Sequence, residues 1–308
     1  MNGNGRHFKM KSMKTYTIVV LLMISKILFA QEQVEKITKE FTFQTKSTDN
    51  ILIVDNLNGH VKVEGYSGDK ILVEATKRIR AKSKENLDKG IREINLGSMN
   101  LSDTVILFAE NPCHAFGKKK EKYNKNDYWT GSEWHYQWNN CQDKCEEGFD
   151  WTLDFVIKIP ASVNLMVSTI NQGDISVAQV NGRVVANNIN GAIRLDGLSR
   201  EAIASTINGN VDIEYVKNPQ KNCRFYTLNG DINALFQPGL AANVSFESFN
   251  GDLYTNIDKL ESLPVSVDKE KTKDGTKYKV NTNRYKIGQG GAVLDFETFN
   301  GNVYVKEK

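Results

Sequence analysis

Four cysteines, four histidines and five prolines are few for 308 residues. The cysteines and histidines do not fall at standard zinc-ligand spacing. Beyond residue 30 the chain has no apolar run approaching the roughly 20 residues that a membrane-spanning helix needs. Neither charge dominates: 40 basic residues face 37 acidic ones, a formal net of +3. A dedicated nucleic-acid binder carries a strongly basic face, so no nucleic-acid partner is expected. Collagen-like, coiled-coil and polytopic membrane compositions are likewise excluded. Against these shortages stands one excess, 32 asparagines, about one residue in ten.

The first thirty residues read as an export leader. Lys9, Lys11 and Lys14 precede an apolar run from Tyr16 to Phe29, interrupted by Lys26 and followed by Ala30. A positive start, a short apolar core and a small residue at the end describe a secretory signal peptide. No cysteine follows the run, so lipidation there is not expected. The leader holds five basic residues (Arg6, Lys9, Lys11, Lys14 and Lys26) and no acidic one, which leaves 35 basic against 37 acidic in the rest. The mature chain is therefore expected to be exported, to the periplasm or the outer cell surface, without a transmembrane segment.

A phrase recurs through the second half: Thr206-Ile207-Asn208-Gly209, Thr227-Leu228-Asn229-Gly230, Ser248-Phe249-Asn250-Gly251 and Thr298-Phe299-Asn300-Gly301. Thr169-Ile170-Asn171 and Asn188-Ile189-Asn190-Gly191 begin the series. Its asparagines, Asn171, Asn190, Asn208, Asn229, Asn250 and Asn300, step by 19, 18, 21, 21 and then 50 residues. A period near twenty marks stacked repeats. Apolar and polar residues alternate on both sides of each Asn-Gly, as strands require. Asn-Gly tolerates positive φ and turns sharply.

Two architectures satisfy this pattern, a string of hairpins or a β-solenoid in which like positions stack. The near-constant period favours the solenoid. Its asparagine amides would form a ladder, and Ile170, Ile189, Ile207, Leu228, Phe249 and Phe299 an apolar stack. The last step reads as one coil longer, with a polar excursion from Asp258 to Tyr285 that turns at Asp274-Gly275.

The first half carries the phrase once, as Leu57-Asn58-Gly59-His60-Val61, after the strand Ile51 to Val54. Lys70 to Arg80 and Thr104 to Ala109 read as strands. Leu87, Ile91 and Ile94 sit at helical spacing, with Ser83 as N-cap and Gly97 closing the helix.

These features together resemble the bacterial putative-adhesin family of exported repeat proteins. The resemblance rests on three features: the leader followed by Asn58-Gly59-His60-Val61-Lys62-Val63-Glu64-Gly65, the strand Phe155 to Pro160 leading into the Thr-Ile-Asn repeats, and Ile287-Gly288-Gln289-Gly290-Gly291 before Phe299-Asn300-Gly301. It implies an all-β, right-handed β-solenoid or β-helix-like repeat fold in the cell envelope, and it brings no catalytic residues.

One segment is not repeat. Glu110 to Asp150 holds Trp129, Trp134 and Trp138, with Tyr128 and Tyr136. Clustered aromatics serve partner and sugar sites, so these five are candidate contacts for a glycan or a surface protein. The alternative is that the rings shield the side or end of the repeat array from edge-on association. Cys113 would pair with Cys141 or Cys145, as exported cysteines do; with His114 and His135 the same cysteines form a weaker zinc candidate. Cys223 reads as a buried thiol. Asp231 and Asp252 share a register one coil apart, with Asp174 further off, and could offer oxygens to Ca²⁺. A solvated corner explains them as well.

The chain thus divides into a signal peptide (1–30), an N-terminal β region with a short helix (31–109), the aromatic and cysteine-rich insertion (110–150) and the repeat region (151–308). The expected function is a non-catalytic, adhesin-like binding or structural module of the envelope, with no cofactor or metal. The rival readings are a β-helix polysaccharide lyase or hydrolase and an envelope-stress accessory protein.

Overall fold

The computed structural model describes residues 31–118, 134–137, 148–272, 275–281 and 283–308. The leader, Tyr128, Trp129, Trp138, Cys141 and Cys145 lie outside the described residues.

Two open sheets, one of ten strands and one of eleven, face each other across a single apolar core. Each Asn-Gly separates a strand of the larger sheet from a strand of the smaller one. Ala202–Asn208 lies in the first and Val211–Tyr215 in the second. The two strands flanking the turn are not partners, so Asn-Gly makes a corner between sheets and not a hairpin.

Pairing runs between repeats instead, and it is parallel. In the larger sheet Asn164–Thr169 pairs with Val184–Asn188, which pairs with Ala202–Asn208, which pairs with Cys223–Asn229. In the smaller sheet Val61, Ile175, Ile193, Val211, Ile232 and Val303 fall in one register line. All six are fully buried, and one such rung could not bury its apolar face without its neighbours.

The sequence register of the last two repeats is not their order in space. Ala292–Asn300 inserts between Cys223–Asn229 and Ala242–Asn250, parallel to both. Val303–Glu307 does the same in the other sheet, between Ile232–Phe236 and Leu253–Thr255. The 50-residue step is thus a return into the stack and not a longer coil. The excursion includes the antiparallel hairpin of Ser266–Thr272 with Gly275–Asn281; Asp274 of the expected turn lies outside the described residues.

At the other end the sheets become antiparallel. Gln31–Phe41, Ile71–Ala81 and Phe149–Pro160 pair in sequence along one edge. The helix Lys84–Glu93 packs there, with Ser83 as its N-cap. It ends at Ile94, and Gly97 belongs to the next strand, so Gly97 does not close it. The C-terminal carbonyls of Ile91 and Ile94 instead receive the buried Nζ of Lys77, at 3.1 and 3.2 Å. A cation there suits the negative end of the helix dipole.

Candidate functional site

The corners are knitted together by side chains. Asn190 donates its amide to Oδ1 of Asn171, Asn208 to Asn190, Asn229 to Asn208, Asn300 to Asn229 and Asn250 to Asn300, all at 2.8–2.9 Å. The six asparagines form the expected ladder, with the last two exchanged.

Two residues before each asparagine the side chain points inward. Thr169, Thr206, Thr227 and Thr298 are buried, and each hydroxyl donates to the corner glycine carbonyl of the preceding rung. Buried hydroxyls need such partners. The residue between points outward. Ile170, Ile189, Ile207 and Leu228 are half-buried, and Phe249 and Phe299 stack at 4.8 Å while 74% and 44% exposed. The apolar stack therefore exists, but on the outer face of the large sheet. Strand alternation makes Thr inward and the following apolar residue outward.

The residue after each glycine forms a further ladder. Asp174 accepts from the Ala192 amide, Asp231 from Asn302, and Asn302 from Asp252, at 2.7–3.1 Å. Asn302 lies between Asp231 and Asp252, so these two carboxylates are not neighbours. Among the described residues no group of three or more acidic, histidine or cysteine side chains is placed to hold a metal ion. His60 is exposed, and its Nδ1 accepts from the Asp174 amide. Cys223 is buried, with Tyr215 Oη 3.2 Å from its Sγ. Cys113 is half-buried, and its expected partners lie outside the described residues.

The outer face of the large sheet carries the candidate site. Ile106, Ile53, Met166, Val185 and Ile203 lie side by side across five strands. Outward-facing apolar residues are rarely covered on a solvated sheet, yet the first four are buried. They are covered by the antiparallel pair Ala115–Lys118 and Trp134–Gln137. Phe116 stacks on Phe108 at 4.3 Å, Trp134 lies parallel to it at 6.4 Å, and Tyr136 meets it edge-on.

Tyr136 fastens this flap. Its hydroxyl accepts from the Ala109 amide at 2.9 Å and lies 3.0 Å from the Asp55 carbonyl oxygen, within donating distance. Burial pushes its pKa well up. Only 2% of Tyr136 is exposed, so this residue is a structural clasp and does not present its ring to a partner. Trp134 is half-buried.

Under the flap is a cavity of about 190 Å³. Trp134, His135 and Tyr136 roof it, and Ile53, Met166, Ile170 and Ile189 supply apolar floor. A polar line crosses that floor: Asp55, Ser168 and Asn187 occupy one register row. Ser168 donates to Asp55 Oδ1 at 2.5 Å. Asp55 is half-buried as a residue, but protein groups strip its carboxyl of water and push its pKa up to about 7. Nδ1 of His135 is buried and has no hydrogen-bond partner among the described residues. Of the aromatic candidates in the sequence, the described pair Trp134 and Tyr136 belongs to this site. Asp55 and Ser168 were missed as site residues, and His135 was read only as a weak zinc candidate, because nothing local marks the three as one site; only strand register and the flap bring them together.

No family model and no curated protein matches the chain. Among solved structures, it is similar to a putative cell adhesion protein from Clostridium sporogenes, at 12% identity over 91% of this chain and all of that one, with a TM-score of 0.41. A putative adhesin from Bacteroides fragilis matches at 10% identity over 89% of this chain and 97% of that one, TM-score 0.33. A putative lipid binding protein from Parabacteroides distasonis matches at 10% identity over 88% and 96%, TM-score 0.22. Likenesses this distant carry no argument about function. Among the described residues, no helix is long and apolar enough to cross a membrane.

Proposed function

We propose that the mature chain is a non-catalytic, exported binding module of the cell envelope, adhesin-like in presenting a rigid β-solenoid surface. The observation that supports this reading is the cross-linking of successive corners by asparagine and threonine side chains. A surface fixed in this way pays little ordering entropy on contact. The contact face is the aromatic insertion where it lies over the large sheet.

Two measurements test it. Protease shaving of intact cells should remove the protein if it stands on the outer surface. Titration with cell-wall glycans should change tryptophan emission; no response across a broad panel, glycans and surface proteins included, would sink the binding reading.

One observation favours the enzyme alternative: a carboxyl titrating near neutrality in a cleft is poised for acid–base work. Glycoside hydrolysis, however, uses a pair of carboxyl groups, and Asp55 is the one carboxylate among the described residues lining this cavity. Turnover of polysaccharides, lost in Asp55→Asn, would promote the enzyme.

A further inference from the structure

The cavity sets a few polar groups, Asn187 among them, in a mostly apolar lining. Asp55 lies on the floor, and on the roof is His135, whose buried Nδ1 has no hydrogen-bond partner among the described residues. A neutral imidazole accepts at Nδ1 when its proton is on Nε2. Ser168 already spends its hydroxyl on Asp55, leaving the carboxylate with lone pairs to spare.

Four classes of small ligand can be weighed against this lining. A hydrocarbon would bring no donor to His135 Nδ1 or to the lone pairs that Ser168 leaves on Asp55, which costs free energy. A carboxylate would face Asp55, a like charge. A hydroxyl compound has one proton to give. An ammonium group has three donors and the charge opposite to Asp55, and it favours the ionised carboxyl.

Size limits the remainder of the molecule. An apolar cavity of about 150 Å³ accepts a benzene ring; this one, at about 190 Å³, has room for a ring with a short substituent. Trp134, already parallel to Phe116, gives a flat wall for such a ring.

We propose that the cavity binds small primary ammonium compounds with an apolar body of about one ring, the ammonium held by Asp55 and His135. This rests on the binding-module reading and names a ligand class for its site.

The test uses the mature chain with benzylamine, benzyl alcohol, benzoate and toluene as probes at pH 8, measured by calorimetry and by the Met166 methyl resonance in NMR. Benzylamine should bind tightest, benzoate weakest, and Met166 should shift with benzylamine. Asp55→Asn should weaken benzylamine at least about tenfold and change benzyl alcohol little. Should Asp55→Asn fail to fold, Ile189→Trp, at a half-buried floor position, should block the cavity and abolish binding of benzylamine. Benzoate binding as well as benzylamine, an unchanged benzylamine affinity in the folded Asp55→Asn, a silent Met166, or undiminished benzylamine binding in Ile189→Trp would overturn the proposal. If glycans bind and no amine does, the ligand class falls and the binding-module reading stands; if neither binds, both fall.

Discussion

Asn300 donates its side-chain amide to Oδ1 of Asn229 at 2.9 Å, across 71 residues of chain. The bond marks the place where the C-terminal repeat enters the stack. Cys223–Asn229 and Ala242–Asn250 are successive repeats of the larger sheet in sequence, but each pairs with this late strand and not with the other. Ending the chain after Tyr285 should therefore leave a gap beside Phe225, which packs on Phe296 with ring centres 5.4 Å apart. We expect such a chain to lose cooperative unfolding and expose apolar surface, read by circular dichroism and dye binding. Asn300→Ala alone should cost about 1 kcal/mol or less, because the ladder is solvent-exposed.

Glycine at the corners is required by close approach. A Cβ on Gly301 would stand 1.9 Å from the Gly230 carbonyl oxygen, inside any van der Waals contact. Gly301→Ala should separate the rungs and cost roughly 2–4 kcal/mol, at the upper end of single-site effects. Chemical denaturation gives the value; a loss below about 0.5 kcal/mol would contradict the stacking of these corners.

The inward threonines can be tested by shape alone. Thr227 is fully buried and donates to the Gly209 carbonyl at 2.8 Å. Thr227→Val keeps the outline but removes the donor, so it should cost about 1–3 kcal/mol. Thr227→Ser keeps the hydroxyl and should cost less of the polar contribution. Equal midpoints for parent and Thr227→Val would deny the bond a stabilising role.

Asp55 should make stability depend on pH. Its pKa stands near 3.8 in the unfolded chain and rises to about 7 in the fold. Between those values the folded state binds more protons than the unfolded one. The free energy of unfolding must then fall as pH rises from about 4 to 7 and level off above. Three pKa units set an upper bound of about 4 kcal/mol, and residual solvent at this half-buried residue makes the effect smaller. Asp55→Asn should melt above the parent at pH 8 and near it at pH 4. Parallel melting-temperature curves would refute the shift.

Tyr136→Phe removes the clasp between the flap and the sheet. The Ala109 amide loses its acceptor, and the cost should be about 1–3 kcal/mol. Hydrogen exchange should rise first in 115–118 and 134–137, ahead of the repeat corners. Unchanged exchange there would mean that ring stacking alone holds the flap.

The sequence by itself determined the strands, the corners and their asparagine ladder, because each depends on residues within one phrase: Asn-Gly turns locally, and alternation chooses a face. It also located the helix and its Ser83 cap. Three matters were decided only by the tertiary structure. The rung order around Asn229, Asn300 and Asn250 depends on which strand meets which, and a parallel pair can form between any two matching repeats. The outward placement of Phe249 and Phe299 depends on which side of the alternation faces the opposing sheet. The site depends on Asp55, Ser168 and His135, widely separated in sequence and joined by strand register and a flap anchored at Tyr136. Local rules choose a conformation, but long-range pairing alone chooses neighbours.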